Sequence, residues 1–322
     1  MKKLLLILAL VFAAQGTVQA SHVLGGEIRW ECLGNGRFIF FAKVFRDCTG
    51  IQLPYQNETL TIQGNPLPRS ATNSPISSIT LRPDSNTWIN NRFGDTSPTC
   101  KPNGDPITCG NGDPGAVQQF FYTSSPIQLR GTPPSSGWRF WLSSILCCRP
   151  NVTNLASGGA MMLRAIMYPD ANNSTVDQCK DSSPEFLALP VNSICRGYEF
   201  TYNHTAIDKD LDSLVYGWDR TYNTPPNAPQ PVPYANGFAF NNPTPDKTFS
   251  TQNIPSTLDP VTGIIKVGVW SGSPITRNYL TVVRVDAWRQ GRVIASVFRE
   301  IPFSFFDCPR LPNGQINRPP EI

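Results

Sequence analysis

The sequence predicts an all-β protein built as two tandem β-sandwich modules. Three observations carry this. Apolar residues alternate at period two in one stretch after another, and no segment of useful length shows the spacing of an amphipathic helix. Charged residues make up only 16% of the chain, while Pro, Gly and aromatic residues abound, a balance that suits an extracellular β-protein with long ordered loops. Between Asp170 and Pro184 the sequence turns polar, and 322 residues is long for one sandwich, so a module boundary falls there.

In chain order, residues 1–20 read as a secretory signal peptide. Lys2 and Lys3 form a basic start, 4–14 an apolar run too short to span a bilayer, and Val18-Gln19-Ala20 a small-residue cleavage site. The first module, 21–182, opens with two strands that turn at Gly34-Asn35-Gly36. Phe38, Phe40, Ala42 and Val44 share one face; Ile39, Phe41 and Phe45 share the other with Arg37 and Lys43, so that face is expected to be half covered. Further strands are expected at 59–62, 78–81, 118–122, 138–143 and 160–167. Residues 83–116 read as a long loop rich in Pro, Asn, Gly and Asp, which needs a staple or a function. The second module, 183–308, is expected to hold strands at 198–202, 214–218 and 263–267. A hairpin follows, 279–288 with 293–305, turning at Arg289-Gln290-Gly291. Tyr279, Thr281, Val283, Val285 and Ala287 share one face of its first arm. Residues 309–322 read as a linker or the start of a further module, because Pro319-Pro320-Glu321-Ile322 repeats the form of Ser183-Pro184-Glu185-Phe186.

Nine Cys lie beyond the signal segment, and an exported chain meets an oxidising compartment, so pairing is expected, with one Cys left over. Cys100–Cys109 is the cheapest loop to close. Cys195–Cys308 would tie the first strand of the second module to its last. Cys32–Cys179 would bracket the first module in the same way, and Cys48 would take Cys147 or Cys148.

Asp208, Asp210 and Asp212 alternate in the turn before the strand at 214–218. Carboxylates so spaced can converge on a hard cation, and calcium prefers oxygen-only ligation. Asp181 at the boundary and Asp286 on the late hairpin could add ligands. The plain alternative is a solvated acidic turn.

Several stretches together resemble a family of large surface proteins of gliding and related Bacteroidetes, associated with type IX secretion. They are the run from Ser21 through Gly25-Gly26-Glu27-Ile28, Glu31-Cys32-Leu33-Gly34, Phe45-Arg46-Asp47-Cys48, Cys147-Cys148-Arg149, Asp212-Ser213-Leu214, Val285-Asp286-Ala287-Trp288 and Val297-Phe298-Arg299-Glu300-Ile301. The second module resembles a cadherin-like immunoglobulin sandwich. Its marks are the linker Ser183-Pro184-Glu185-Phe186, the calcium-type Asp208-Lys209-Asp210 and the run Asp259-Pro260-Val261-Thr262-Gly263-Ile264. Leu211 stands where many relatives carry Gly, and a left-handed backbone is expensive for Leu. The resemblance implies a cell-surface role without catalysis.

The function classes narrow accordingly. A formal charge of +4, or +2 without Lys2 and Lys3, gives no field for nucleic acid. There is no Gly-x-Ser-x-Gly and no His-Glu-x-x-His, and the two His, His22 and His204, sit at a terminus and a turn. The expected function is a secreted, non-enzymatic surface protein for adhesion or fibre building, with other surface proteins, its own subunits or surface glycans as partners. A carbohydrate-binding module is the alternative: Trp138, Trp141, Trp218 and Trp288 could stack on sugars, or could pack the core.

Overall fold

The computed structural model describes residues 23–85, 107–113, 115–143, 149–170, 175–179, 181–190, 193–223, 228–270 and 278–307. The signal segment, the tail 309–322 and Cys100, Cys147, Cys148 and Cys308 lie outside the described residues. The first half holds β1 (Val23–Cys32), β2 (Arg37–Asp47), β3 (Glu58–Gln63), β4 (Ser78–Pro83), β5 (Val117–Ser124), β6 (Ile127–Gln128), β7 (Trp138–Leu142) and β8 (Leu163–Met167). The second holds β9 (Glu185–Phe186), β10 (Ser193–Cys195), β11 (Glu199–Asn203), β12 (Ala206–Ile207), β13 (Ser213–Trp218), β14 (Tyr222–Asn223), β15 (Gln230–Pro231), β16 (Ile254–Leu258), β17 (Ile264–Gly268), β18 (Asn278–Arg289) and β19 (Arg292–Phe306). The protein is all-β, and apart from the short parallel contact of β10 with β19 its strand pairs are antiparallel. Among the described residues no helix is long and apolar enough to cross a membrane.

The ladder of the first half closes on itself. It runs β1-β2-β5-β4-β3-β7-β8-β19, and β19 returns to β1 through Gly26 opposite Glu300. Period-two alternation fills the interior. Phe38, Phe40, Ala42 and Val44 point inward and are essentially inaccessible, as are Trp30, Trp138 and Phe140. Each such aromatic contributes roughly 1.5–3 kcal/mol by leaving water. On the other face of β2, Phe41 is half-buried beneath the Arg29 guanidinium, 4.0 Å from its ring centre. The β1–β2 turn needs three successive left-handed residues, and Gly34, Asn35 and Gly36 supply them at φ 81°, 52° and 70°.

In the second half, the small sheet β11-β17-β16 faces β13-β18-β19 across a second core. Phe200, Tyr202, Ile265 and Val267 come from one layer, and Tyr216, Val283, Val285, Val297 and Phe303 from the other. The hairpin β18–β19 serves both cores. Ala287, Ile294 and Ala295 near its turn pack into the first, and the rest of its inner face packs into the second. Gln290 and Gly291, both at positive φ, make its two-residue turn.

His204 sits at the second core's edge, fully buried between Phe186 and Tyr202, with neither ring nitrogen hydrogen-bonded. Burial, with Arg299 nearby, holds its pKa well below the ordinary 6.5. The unfolded chain therefore binds a proton near pH 6.5 that the folded chain refuses, and stability falls as pH drops through that value. Thermal melting at pH 7.5 and pH 5.0 is expected to show this loss, and His204→Leu is expected to reduce it. An equal loss in both proteins would assign the acid sensitivity elsewhere.

Candidate functional site

The outer face of the large sheet carries a groove of about 630 Å³, within the range of ligand-binding clefts. Strand alternation builds it. Trp138, Phe140 and Leu142 of β7 face the core, so Arg139 and Trp141 face out. In β8, Leu163, Ala165 and Met167 face in, which turns Arg164 and Ile166 outward, and Tyr168 just past its end joins them. Arg284, Asp286 and Trp288 of β18 and Ser296 and Phe298 of β19 complete the floor, with Asp219 and Tyr222 as a wall. The register aligns these residues across strands. Arg139 lies opposite Ile166, Ile166 opposite Ser296, and Ser296 opposite Asp286.

Its charges are mostly paired. Asp219 accepts from Arg164 at 2.8 Å and from Arg284 at 3.1 Å. Asp286 pairs with Arg284 at 2.9 Å and accepts from the Ser296 hydroxyl at 2.5 Å. Burial raises the Asp286 pKa, against the pull of Ser296 and Arg284. The Arg164 guanidinium is walled by aromatic rings, 4.0 Å from the Phe298 centre and 4.3 Å from that of Tyr222. Burial lowers its pKa and Asp219 counters this. Trp288 is 37% exposed and offers the groove a flat apolar face.

The four Trp of the sequence reading divide. Trp138 is a core residue whose indole donates to the Pro66 carbonyl at 2.8 Å. Trp218 packs against the second core. Trp141 lines the groove almost wholly covered, its indole donating to Gln63 at 3.0 Å, and Trp288 lines it in the open. The arginines of the groove were missed in the sequence. The available signal was a charged residue inside an otherwise apolar strand, at Arg139 and Arg164.

The acidic turn does assemble, around a side chain rather than an open cradle. Arg289 donates to Asp212 at 2.7 and 2.6 Å and to Asp181 at 2.9 Å. Asp210 accepts from the Ser182 backbone at 2.6 Å, and Asp208 accepts from the backbone N–H groups of Asp210 and Asp212. Burial pushes the Asp181 carboxyl up to about 8, opposed by Arg289 and reinforced by Asp208, Asp210 and Asp212. Asp286, expected to add to this set, instead lies in the groove with Arg284 and Ser296. Leu211 takes the expensive left-handed backbone, φ 66°, with its side chain 90% exposed. Leu211→Gly is therefore expected to raise stability by about 1 kcal/mol in urea unfolding. A destabilised variant would refute that backbone conformation.

The disulfides correct two expectations. Cys109 is joined to Cys48, so Cys109 is not bonded to Cys100 and Cys48 is not bonded to Cys147 or Cys148. Pairing of β2 with β5 is the reason: the Cys48 N–H donates to Ala116 at 3.0 Å, which brings the two Cα atoms within 5.2 Å. Loop-closure entropy favours the shorter Cys100–Cys109 ring by roughly 2 kcal/mol, too little to outweigh a ladder. Cys32 is joined to Cys179, with Cα atoms 5.5 Å apart. Cys195 is also disulfide-bonded; its expected partner Cys308 lies outside the described residues.

Fold and groove together define an all-β, disulfide-bonded protein with a polar, aromatic-lined cleft on a sheet face. Comparison with protein-family models, curated proteins and solved structures gives no match to this chain.

Proposed function

We propose that this chain is a secreted, non-enzymatic cell-surface protein of adhesion, built of two β-modules that share the hairpin β18–β19, the second of them immunoglobulin- and cadherin-like, and that its outer groove binds glycans. The observation that carries the reading is the groove itself: exposed Trp288 beside fixed Arg–Asp pairs, the combination of apolar face and oriented hydrogen-bonding groups that sugar rings need. The disulfides support an oxidising, extracytoplasmic setting. The stretches that carry the family resemblance also meet in space: Glu27 bonds Arg299, Arg149 bonds Glu300, and Ser213 and Leu214 pair with Trp288 and Ala287.

Titration of the mature protein with a panel of soluble oligosaccharides, read by tryptophan fluorescence and calorimetry, is the test. Saturable binding by at least one glycan, lost in Trp288→Ala, is expected, with the glycan recovered intact. If no glycan binds, the groove reading fails. If the glycan is cleaved, the non-enzymatic reading fails.

Calcium enters this reading through Asp208, whose Oδ2 is buried without a hydrogen bond, and through Asp210, and must compete with Arg289 for Asp212. A ligand of the folded state alone raises its stability. Melting in millimolar calcium is expected to exceed melting in chelator, and more so in Arg289→Gln. Identical midpoints in both proteins would remove calcium.

A further inference from the structure

We infer that the groove is built for an acidic glycan, a saccharide bearing a carboxylate, and that Arg139 is the residue that reads the carboxylate. This rests on the glycan-binding reading above and specifies its ligand. Three arginines line the groove against two aspartates. Arg164 and Arg284 are committed to Asp219 and Asp286. The half-buried Arg139 makes no ion pair or side-chain hydrogen bond to another described residue, which leaves the groove one positive charge in excess. A guanidinium presents a planar fork that matches a carboxylate in two parallel hydrogen bonds. The Nε of Arg164, a side chain only 6% exposed in the same groove, is likewise buried without an acceptor.

The layout suits a saccharide. Arg139 and Asp286 lie in one cross-strand row, with Ile166 and Ser296 between them and Gln63 and Val215 beyond. Three inter-strand spacings separate Arg139 from Asp286, about 14 Å, enough for two to three sugar rings. A carboxylate at the Arg139 end leaves hydroxyls at the other end to donate to Asp286, with Trp288 two residues further along β18 as the apolar face. An acidic peptide fits less well. The floor strands β7, β8, β19 and β18 each have a neighbour on both edges, so their backbone groups are engaged in the ladder and offer an extended peptide nothing to pair with. A doubly charged phosphate would meet Asp219 and Asp286.

The probes are oligogalacturonate trimer, its fully methyl-esterified form, which keeps the rings and removes the charge, and a glutamate hexapeptide. The free acid is expected to bind about tenfold more tightly than the ester, with the advantage shrinking as salt rises. Arg139→Gln is expected to erase that difference, the free acid falling to about the affinity of the ester, with the melting midpoint unchanged. Arg139→Lys is expected to keep only part of it. Equal binding of acid and ester overturns the inference and leaves the glycan reading standing. Binding of the hexapeptide as tightly as the trimer overturns it in favour of an acidic peptide. Binding of none of the three, with a neutral glycan bound elsewhere in the wider panel, overturns the inference alone; no binding by any glycan overturns both.

Discussion

Gly25→Ala is expected to destabilise the protein by about 3 kcal/mol or more, among the largest effects a single methyl can have. A Cβ built at Gly25 falls 1.7 Å from the Glu300 carbonyl oxygen, 2.7 Å from its carbon and 3.1 Å from the Ile301 Cα. All three are backbone atoms, so no side chain can swing aside. Nor can the β19 backbone yield there. The Glu300 carboxylate is held at 2.6 Å by Arg149 and at 2.5 Å by the Thr221 hydroxyl, and Arg149 also donates to the Ala160 carbonyl at 2.9 Å. Gly26 is little freer, since its Cβ would come 2.4 Å from the Lys43 carbonyl oxygen. The glycine pair therefore permits the strand approach that closes the ladder. Gly110→Ala is the control, because a Cβ there meets nothing within 4 Å, and its effect is expected to stay within about 0.5 kcal/mol. Urea unfolding of both variants decides the matter. A Gly25→Ala protein as stable as the parent would mean that β1 and β19 do not meet as described.

That closure shows where sequence legibility ends. The alternation in β2, the Gly34-Asn35-Gly36 turn and both arms of the late hairpin were readable, because a period of two and a glycine turn are local signals. The expected strand at 138–143 appears as Trp138–Leu142, and that at 214–218 as Ser213–Trp218. The meeting of Gly26 with Glu300 has no local signal at all. The same is true of Arg289, which sits 77 residues beyond Asp212 yet occupies the middle of the acidic turn. The turn was legible as a cluster of carboxylates; the cation that satisfies it was not. The groove failed to show for a different reason. Its tryptophans read equally as core packing or as sugar stacking; alternation puts Trp138 and Trp141 on opposite faces of β7, but only the register between β7, β8, β19 and β18 brings Trp141 and Trp288 to one groove.

The second large effect is expected at the Glu27–Arg299 pair, the most completely buried ion pair among the described residues. Arg299 Nε donates to Glu27 at 2.5 Å, with both side chains no more than 2% exposed. Arg299 also donates to the Ala188 carbonyl at 2.7 Å and stacks over Phe186 at 4.2 Å. Lys43 stands 3.4 Å from the second Glu27 oxygen. Removing one partner strands a charge in a place water does not reach, so Glu27→Leu is expected to cost about 3–5 kcal/mol. Arg299→Leu is expected to cost less, because Lys43 remains beside Glu27. The double variant is expected to recover much of the Glu27→Leu loss, since two apolar chains of similar volume need no counterion. A double-mutant cycle in urea measures the coupling. The pair also sets an acid limit. Burial alone would raise the Glu27 pKa, but Arg299 and Lys43 overcome it and hold the carboxyl below its ordinary 4.5. The unfolded chain then takes up the proton first as pH falls. The contribution of the pair is complete above pH 4.5 and is lost as the pH drops through the lower folded value. The double variant is expected to lack this loss while keeping most of the one near pH 6.5 that belongs to His204, whose larger cause, burial, remains when Arg299 is gone. If the double variant is as unstable as Glu27→Leu, the two charges are not partners and the seam between β1 and β19 is held by something else.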